Sequence, residues 1–132
     1  RSLHENITFI PRPEDRSNLG DEVFDGWNKE VEMAFLTRLK GIYLGERLVQ
    51  FGDENMVFER EDITVGRAEF EGDYVMTLDP GDGSDPEVYE GRAIFIIVEA
   101  NQGWMLESWE DVDVIGPNPT SGYLRGTLRG AE

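Results

Sequence analysis

The stretch YEGRAIFIIVEANQGWMLESWEDV, residues 89–112, decides the fold of this chain. Five of the six residues from Ala93 to Val98 are bulky and apolar, and Trp104 and Trp109 follow soon after. A strand that buries one face alternates apolar and polar residues, and this segment does not alternate. We therefore expect a strand with both faces covered, joined to a second long strand by a tight turn at residues 101–103.

Strand geometry divides this segment between two faces. One set of side chains is Ile94, Ile96 and Val98, and the other is Ala93, Phe95 and Ile97. A single helix covers one face, so the other needs the walls of a ligand pocket, a second subunit or a segment outside this chain. Because large apolar patches are rare on soluble monomers, we predict a homo-oligomer that associates through the sheet, with an interface at Ile94, Phe95, Ile96 and Ile97.

The composition describes one acidic domain. The 132 residues include 28 acidic and 12 basic side chains, a formal net charge of −16, and 39% of the residues are hydrophobic. This content is sufficient for a packed core, so residues 1–132 are expected to form a single domain. The simplest explanation of the charge is solubility, and it also argues against nucleic-acid binding. No apolar run approaches the roughly 20 residues of a membrane-spanning helix.

One segment, NKEVEMAFLTRLKG at residues 28–41, has strong helix signals. Asn28 is a suitable N-cap and Gly41 a suitable C-terminal stop. Apolar residues recur at helical spacing, namely Val31, Phe35, Leu39 and Ile42, and predict one buried stripe. The preceding segment, residues 12–26, is polar and rich in turn formers, so we expect it to be irregular.

From Met56 onward, apolar and polar residues tend to alternate with a period of two, which is typical of β-strands. Residues 56–65 alternate imperfectly, whereas residues 68–78 place one set on a common face: Phe70, Gly72, Tyr74, Met76 and Leu78. A short strand is also expected at residues 7–11. Residues 114–132 are punctuated by proline and glycine, and we interpret them as a C-terminal tail.

The order of these pieces resembles a known family. HENITFIP leads to GWNKEVEMAFLTRL, and the chain then continues to YEGRAIFIIVEANQGWMLESWED. This order is similar to the nuclear-transport-factor-2-like (NTF2-like) superfamily, which includes ketosteroid isomerase and the SnoaL-like cyclases. The start of the helix and the partial tail match TSGYLRG (residues 120–126) resemble uncharacterised bacterial extracytoplasmic members, often lipoproteins. The resemblance implies an α+β fold, with a strongly curved antiparallel sheet on one main helix, and an extracytoplasmic location.

The resemblance also raises a question about cover for the sheet. Members of the superfamily begin with one or two helices that close the cone, and this chain enters near the end of the second, around residues 2–6. We therefore expect that the N-terminal helical cover precedes Arg1 or comes from a partner subunit. Exposed apolar surface costs about 25 cal/mol per Å².

The sequence contains few groups suited to catalysis. It has no cysteine, and its one histidine, His4, lies near the start of the chain, where we expect it to be solvated and inert. The enzymes of the superfamily use an aspartate or a histidine–aspartate pair. The best candidate base is Glu107, between Trp104 and Trp109, where burial would raise its pKa. A glutamate exposed at the sheet edge is the simpler explanation, and we expect no cofactor.

Two further features leave alternatives open. A cone-shaped fold implies a mostly apolar cavity, and its candidate lining residues are Trp27, Phe35, Tyr74, Trp104, Glu107 and Trp109. The loop DPGDGSDPE offers Asp79, Asp82 and Asp85 as oxygen ligands for calcium, although its spacing is not that of an EF-hand. A solvated hairpin loop is the simpler interpretation of that stretch.

These observations favour a non-catalytic interaction or assembly domain. The two-sided apolar strand, the missing helical cover and the absence of a catalytic constellation all point in this direction. A domain that binds a small hydrophobic ligand is the first alternative. An isomerase, dehydratase or cyclase of the cone-shaped fold is the second.

Overall fold

The computed structural model describes residues 3–52, 60–100 and 103–130. Its elements, in chain order, are β1 (Leu3–Ile10), α1 (Pro13–Leu19), a 3-10 turn (Asp21–Val23), α2 (Lys29–Ile42), β2 (Arg47–Phe51), β3 (Arg60–Thr64), β4 (Arg67–Leu78), β5 (Glu87–Ala100), β6 (Gly103–Asp113) and α3 (Ser121–Gly130). The predicted turn at 101–103 and the predicted strand at 56–65 lie partly outside the described residues. Within those residues, no helix has the length and apolar character needed to cross a membrane.

The strands form one sheet in the order β1-β6-β5-β4-β2, and β3 pairs with β4 on the same edge as β2. All neighbours are antiparallel except β1 and β6, which run parallel. The long β4–β5 hairpin dominates, with continuous pairing from Arg67 opposite Val98 to Leu78 opposite Glu87. This is the α+β architecture with a mainly antiparallel sheet that the sequence predicts.

The alternation predicted for β4 and the two-face division predicted for β5 are confirmed. Tyr74, Met76 and Leu78 are buried on one face, which we call the inner face, and Ala93 and Phe95 of β5, opposite Gly72 and Phe70, are buried on the same face. Ile94, Ile96 and Val98 point to the other face, the outer face, and are half-buried. Phe95 is only 5% exposed in the core, so it is not available to a second chain as the predicted interface required.

Helix α2 follows its local signals at its start and departs from them at its end. The Asn28 side chain accepts a hydrogen bond from the backbone N–H of Val31, which is the expected N-cap. The helix continues through Gly41, which is therefore not a stop. Ile42 is 45% exposed because it lies at the last turn, beyond the sheet contact, so the buried stripe ends at Leu39.

Three helices of the chain itself cover the inner face. The predicted irregular segment contains α1, and the predicted tail contains α3, which packs against α1, α2 and β5. The expected gap in the helical cover, to be filled by preceding residues or by a partner, is thus occupied by the C-terminal helix. Leu124 and Leu128 of α3 join the core cluster that the inner face and α2 build.

Two glycines explain how α3 lies so close to the body of the domain. A Cβ atom at Gly122 would lie 3.0 Å from an Asp111 carboxylate oxygen. A Cβ atom at Gly126 would lie 2.7 Å from both Leu19 Cδ1 and Phe24 Cζ. Glycine lowers helix propensity by about 1 kcal/mol relative to alanine, so residues typical of a loop serve here as a helix contact surface.

Candidate interaction surface and buried polar network

A buried arginine lies at the centre of the inner face. Arg125 of α3 is 3% exposed, and its guanidinium lies 4.3 Å from the ring centre of Phe9, 4.4 Å from Trp109 and 5.1 Å from Phe35. It donates two hydrogen bonds to the Glu32 carboxylate of α2, with Nε to Oε1 at 3.0 Å and Nη2 to Oε2 at 2.9 Å. This two-point geometry is the strong form of an arginine–carboxylate pair.

A second buried carboxylate, Asp111, accepts hydrogen bonds from two aromatic side chains and from α3. Tyr74 Oη and Trp109 Nε1 donate to it at 3.0 Å and 2.9 Å. The Ser121 hydroxyl and the Gly122 backbone N–H also donate, at 3.0 Å and 2.7 Å. The N-terminus of α3 is therefore fixed on an inward-facing aspartate of β6, where an anion is favoured by the helix dipole.

A third carboxylate ties α1 to the same helix. Asp15, which is buried, accepts a hydrogen bond from the Thr120 hydroxyl at 2.6 Å. The Arg12 guanidinium donates to both of its oxygens, at 3.2 Å and 3.1 Å, and the Asp15 bond raises the pKa of Arg12. The Thr120 hydroxyl in turn accepts from the backbone N–H of Tyr123 as a helix cap.

The surroundings shift the pKa values of these groups in opposite directions. Burial raises the pKa of Glu32, but the charge and hydrogen bonds of Arg125, with one from Trp27, outweigh it and leave the pKa below its ordinary value. Burial dominates at Asp111 and raises its pKa despite Arg125, Trp109 and Gly122. Burial and the nearby Asp111 likewise raise the pKa of Tyr74.

The outer face offers a different surface. We use the name outer stripe for Ile94, Ile96 and Val98 of β5. None of the three belongs to the core cluster or to the partly buried residues packed against it. On each side the stripe faces mainly polar side chains: Glu71 and Glu110 flank Ile94, and Glu69 and Ser108 flank Ile96.

Two arginines moderate the charge around the outer stripe. Arg92 Nε lies 3.3 Å from Glu71 Oε2, and Arg92 Nη1 lies 3.6 Å from Asp73 Oδ1. Arg67 Nη2 lies 3.4 Å from Glu69 Oε1. Long charged side chains can pack their aliphatic stems along apolar neighbours, and the cross-strand positions of these residues are suited to such contacts with the stripe.

Comparison with solved structures identifies this arrangement. An NTF2-like superfamily protein from Salmonella enterica superposes with a TM-score of 0.55 at 13% identity, covering 89% of this chain and 77% of that one. This chain has the NTF2-like fold. A protein from Kribbella flavida (TM-score 0.58, 16% identity, 93% and 77% covered) and a conserved protein from Planctomyces limnophilus (0.57, 16%, 85% and 75%) are similar. No protein-family profile and no curated protein matches the chain.

The NTF2-like sheet brings together four of the six predicted pocket residues. Trp27, Phe35, Tyr74 and Trp109 share the inner-face core. Trp104 is 46% exposed at the start of β6, opposite Glu99, and Glu107 lies on β6 where the register with β5 shifts. Arg125, Leu124 and Leu128 of α3 pack where the four aromatic residues meet, so side chains of this chain occupy that part of the cone.

A groove of 430 Å³ lies outside the cone, at the N-terminal end of α2. It is lined by Asp25, Gly26, Asn28, Glu30, Val31, Ala34 and Arg129. Charged and polar groups predominate, and Arg129 already donates to the backbone oxygens of Val23 and Asp25 at 3.2 Å and 2.8 Å. This lining differs from the apolar surface that a small hydrophobic ligand requires.

The acidic loop between β4 and β5 uses its carboxylates locally. Asp79 accepts a hydrogen bond from the Gly81 N–H and Asp82 one from the Ser84 N–H, each at 2.9 Å. The Ser84 bonds lower the pKa of Asp82. Across the described residues, no three acidic or histidine side chains converge as metal ligands.

Sequence reasoning missed the residues that matter most on the inner face, namely Glu32, Asp111, Ser121 and Arg125. One signal was available for Asp111, because the period of two along β6 that directs Trp109 inward also directs Asp111 inward. Arg125 carried no such signal, since α3 itself was interpreted as a tail.

Proposed function

We propose that this protein is a non-catalytic interaction domain that self-associates through the outer stripe. The observation that carries the proposal is the difference in cover between the two faces of β5. Ala93 and Phe95 lie in the core, whereas Ile94 and Ile96 have a row of charged and polar neighbours and, among the described residues, belong neither to the core cluster nor to the side chains packed against it. Burial of the stripe against a second copy would complete its cover. It would stabilise the assembly by about 25 cal/mol for each Å² of apolar surface buried.

Charge determines the conditions under which this association occurs. A net charge of −16 on each chain opposes contact between copies. Salt screens that repulsion over about 8 Å at physiological ionic strength, while apolar burial is little affected. The pairing of Arg92 and Arg67 with acidic residues beside the stripe lowers the local repulsion further. Association therefore strengthens as salt rises.

The test compares two threonine variants. Ile94→Thr combined with Ile96→Thr keeps β-branched residues in β5 and removes the apolar contact. Val65→Thr is the matched control, because Val65 is fully exposed on the turn between β3 and β4. We expect the double variant to lose association through this face in sedimentation velocity and the control to retain it. Equal association by all three proteins would contradict the proposal.

The catalytic alternative receives no support from the inner face. Two buried carboxylates lie at the inner face: Glu32 is paired with Arg125, and Asp111 already has four donors, from Tyr74, Trp109, Ser121 and Gly122. A general base needs an accessible acceptor next to its substrate. The ligand-binding alternative is not favoured either, because α3 fills the aromatic part of the cone.

We also propose an extracytoplasmic location, for which the likeness of the sequence to bacterial extracytoplasmic domains is the support. Fractionation of cells that express the complete gene product tests it. Recovery in the periplasmic, surface or secreted fraction is the expected result, and recovery with the cytoplasmic enzymes would contradict it.

A further inference from the structure

The guanidinium of Arg125 is held by groups of other elements, much as a protein holds a cationic ligand. These groups, which we call the cage, are Phe9 of β1, Glu32 and Phe35 of α2, and Trp109 of β6. The three ring centres lie 4.3, 5.1 and 4.4 Å from the guanidinium carbon, and the carboxylate binds it at two points. Aromatic faces and a two-point carboxylate are the groups that recognise guanidinium ions.

The two buried carboxylates of the inner face keep donors that do not belong to α3. Trp27 Nε1 donates to Glu32 Oε1 at 2.8 Å. Tyr74 Oη and Trp109 Nε1 donate to Asp111, whose charge also acts on Arg125. Both carboxylates would therefore stay oriented if α3 left the cone. A cage without Arg125 would present two preorganised negative charges to a cation.

Helix α3 has the features of an element that detaches on its own. Three of its ten residues are glycines, Gly122, Gly126 and Gly130, and each weakens a helix relative to alanine. A helix of this length is marginal without tertiary contacts. Among the described residues, α3 adds two apolar side chains to the core cluster, Leu124 and Leu128. Elements with few buried apolar contacts open at the lowest free energy.

The segment before α3 is tied to β5, which places a hinge at the start of the helix. Asn118 Nδ2 donates to Glu90 Oε2 at 2.7 Å, and the Glu90 N–H donates to the Pro119 carbonyl oxygen at 2.9 Å. The next residue, Thr120, is the first of the polar contacts that dock α3, through its hydroxyl bond to Asp15. The helix can therefore swing away while the segment before it remains attached to the sheet.

We propose that α3 is a releasable plug with Arg125 as its internal ligand, and that the cage binds an external guanidinium compound when α3 is released. The compound places its guanidinium between Glu32 and the three rings, where Arg125 lies in the docked state. It differs from the hydrophobic ligand considered above, because it replaces a charge. Its apparent affinity is its affinity for the open cage reduced by the released fraction of α3. The inference concerns the inner face and does not rest on association through the outer stripe.

The experiment follows the indole N–H signals of the complete chain by NMR during titration with benzylguanidinium. The chain has three tryptophans. The Trp27 and Trp109 indoles donate to the carboxylates of the inner face, whereas Trp104 is 46% exposed at the start of β6 and serves as the internal control. We expect the Trp27 and Trp109 signals to shift and that of Trp104 to stay. Benzylurea, which has a similar shape and no charge, should shift none of them.

A glycine variant tests whether binding requires the release of α3. In Gly126→Ala the new Cβ meets Leu19 and Phe24 while α3 is docked, and both of these residues lie outside the cage. The released fraction therefore rises, and the midpoint of the titration should fall by about tenfold relative to the parent. Gly41→Ala is the matched control, because a Cβ there meets nothing within 4 Å, and it should titrate like the parent.

Three results would overturn the proposal. One is the absence of a shift at Trp27 and Trp109 in both the parent and Gly126→Ala. Another is an equal midpoint in these two proteins, because binding would then be independent of α3. The third is an equal response to benzylurea, because the site would then not recognise the charge.

Hydrogen exchange of the unmodified chain tests the release of α3 separately. We expect the α3 amides to exchange at least about 100-fold faster than those at the centre of the β4–β5 hairpin, because local opening requires less free energy than global unfolding. Benzylguanidinium should increase the α3 rate further, since it binds the released state. Equal exchange rates in the two regions would overturn the proposal, because α3 would then leave the cone only when the whole domain unfolds.

Discussion

On the inner face of the sheet, a charged side chain is completely enclosed, whereas on the outer face apolar side chains remain partly open. Arg125 lies among three aromatic rings and holds Glu32 with two hydrogen bonds. Ile94 and Ile96, one strand position away from the core, lie outside the core cluster that the described helices build with the sheet. The contrast teaches that residue type alone does not tell which face of a strand is complete. The contacts of each side chain do, and they are the reason we propose that a second copy completes the outer face.

The largest expected effect concerns the buried Arg125–Glu32 pair on the inner face. Arg125→Ala should lower the free energy of unfolding by about 5 kcal/mol, because it leaves Glu32 buried without its counter-charge. Urea denaturation followed by tryptophan fluorescence measures it. Arg125→Met combined with Glu32→Gln is the control and should recover part of the loss. A loss of less than about 1 kcal/mol for Arg125→Ala would show that the pair is solvated.

Glu32→Gln should lower the free energy of unfolding by a smaller amount, about 3 kcal/mol at pH 7, because Arg125 then remains buried and charged. The pKa of Glu32 is lowered in the folded protein, so its stabilisation is complete above the unfolded-chain value of about 4.3 and is lost as pH falls through the folded value. Asp111, with a raised pKa, contributes in the opposite sense in both proteins, so the comparison between them reports chiefly on Glu32. The stability difference between parent and variant should therefore shrink on acidification. A difference that does not depend on pH would refute this assignment.

Two alanine substitutions at helical glycines test the close docking of α3. Gly126→Ala should cost about 1–2 kcal/mol, because the new Cβ meets Leu19 and Phe24 and overpacking outweighs the gain in helix propensity. Gly41→Ala in α2 is the matched control, since a Cβ there meets nothing within 4 Å, and it should stabilise by up to about 1 kcal/mol. Thermal melts of both variants measure the difference. Equal stabilisation by both would mean that α3 docks less closely than described.

The smallest expected effect concerns the acidic loop, which belongs to neither face. Asp82→Asn combined with Asp85→Asn should leave the melting temperature in chelator unchanged, because both side chains are exposed. Calcium should raise neither protein's melting temperature. A calcium-dependent rise in the parent that the double variant lacks would reveal a site in this loop.

The inner and outer faces also differ in how far the sequence predicts them. Period-two alternation places Tyr74, Met76 and Leu78 inward, because side-chain direction in a strand depends only on position. The N-cap at Asn28 was likewise predictable, because it depends only on residues next to it in the sequence. By contrast, α3 was not predicted, since Gly122 and Gly126 weaken a helix in isolation and are explained only by the neighbours they approach. The Arg125–Glu32 pair joins residues far apart in the chain, and no local pattern indicates such a contact.

The most direct test of the central claim, that the outer face is completed by a second copy, is sedimentation velocity of the unmodified chain in low and in moderate salt. We predict association that strengthens as salt rises, because screening weakens the repulsion between chains of net charge −16 while apolar burial persists. A single species of 15.0 kDa at tens of micromolar in both buffers would contradict the account.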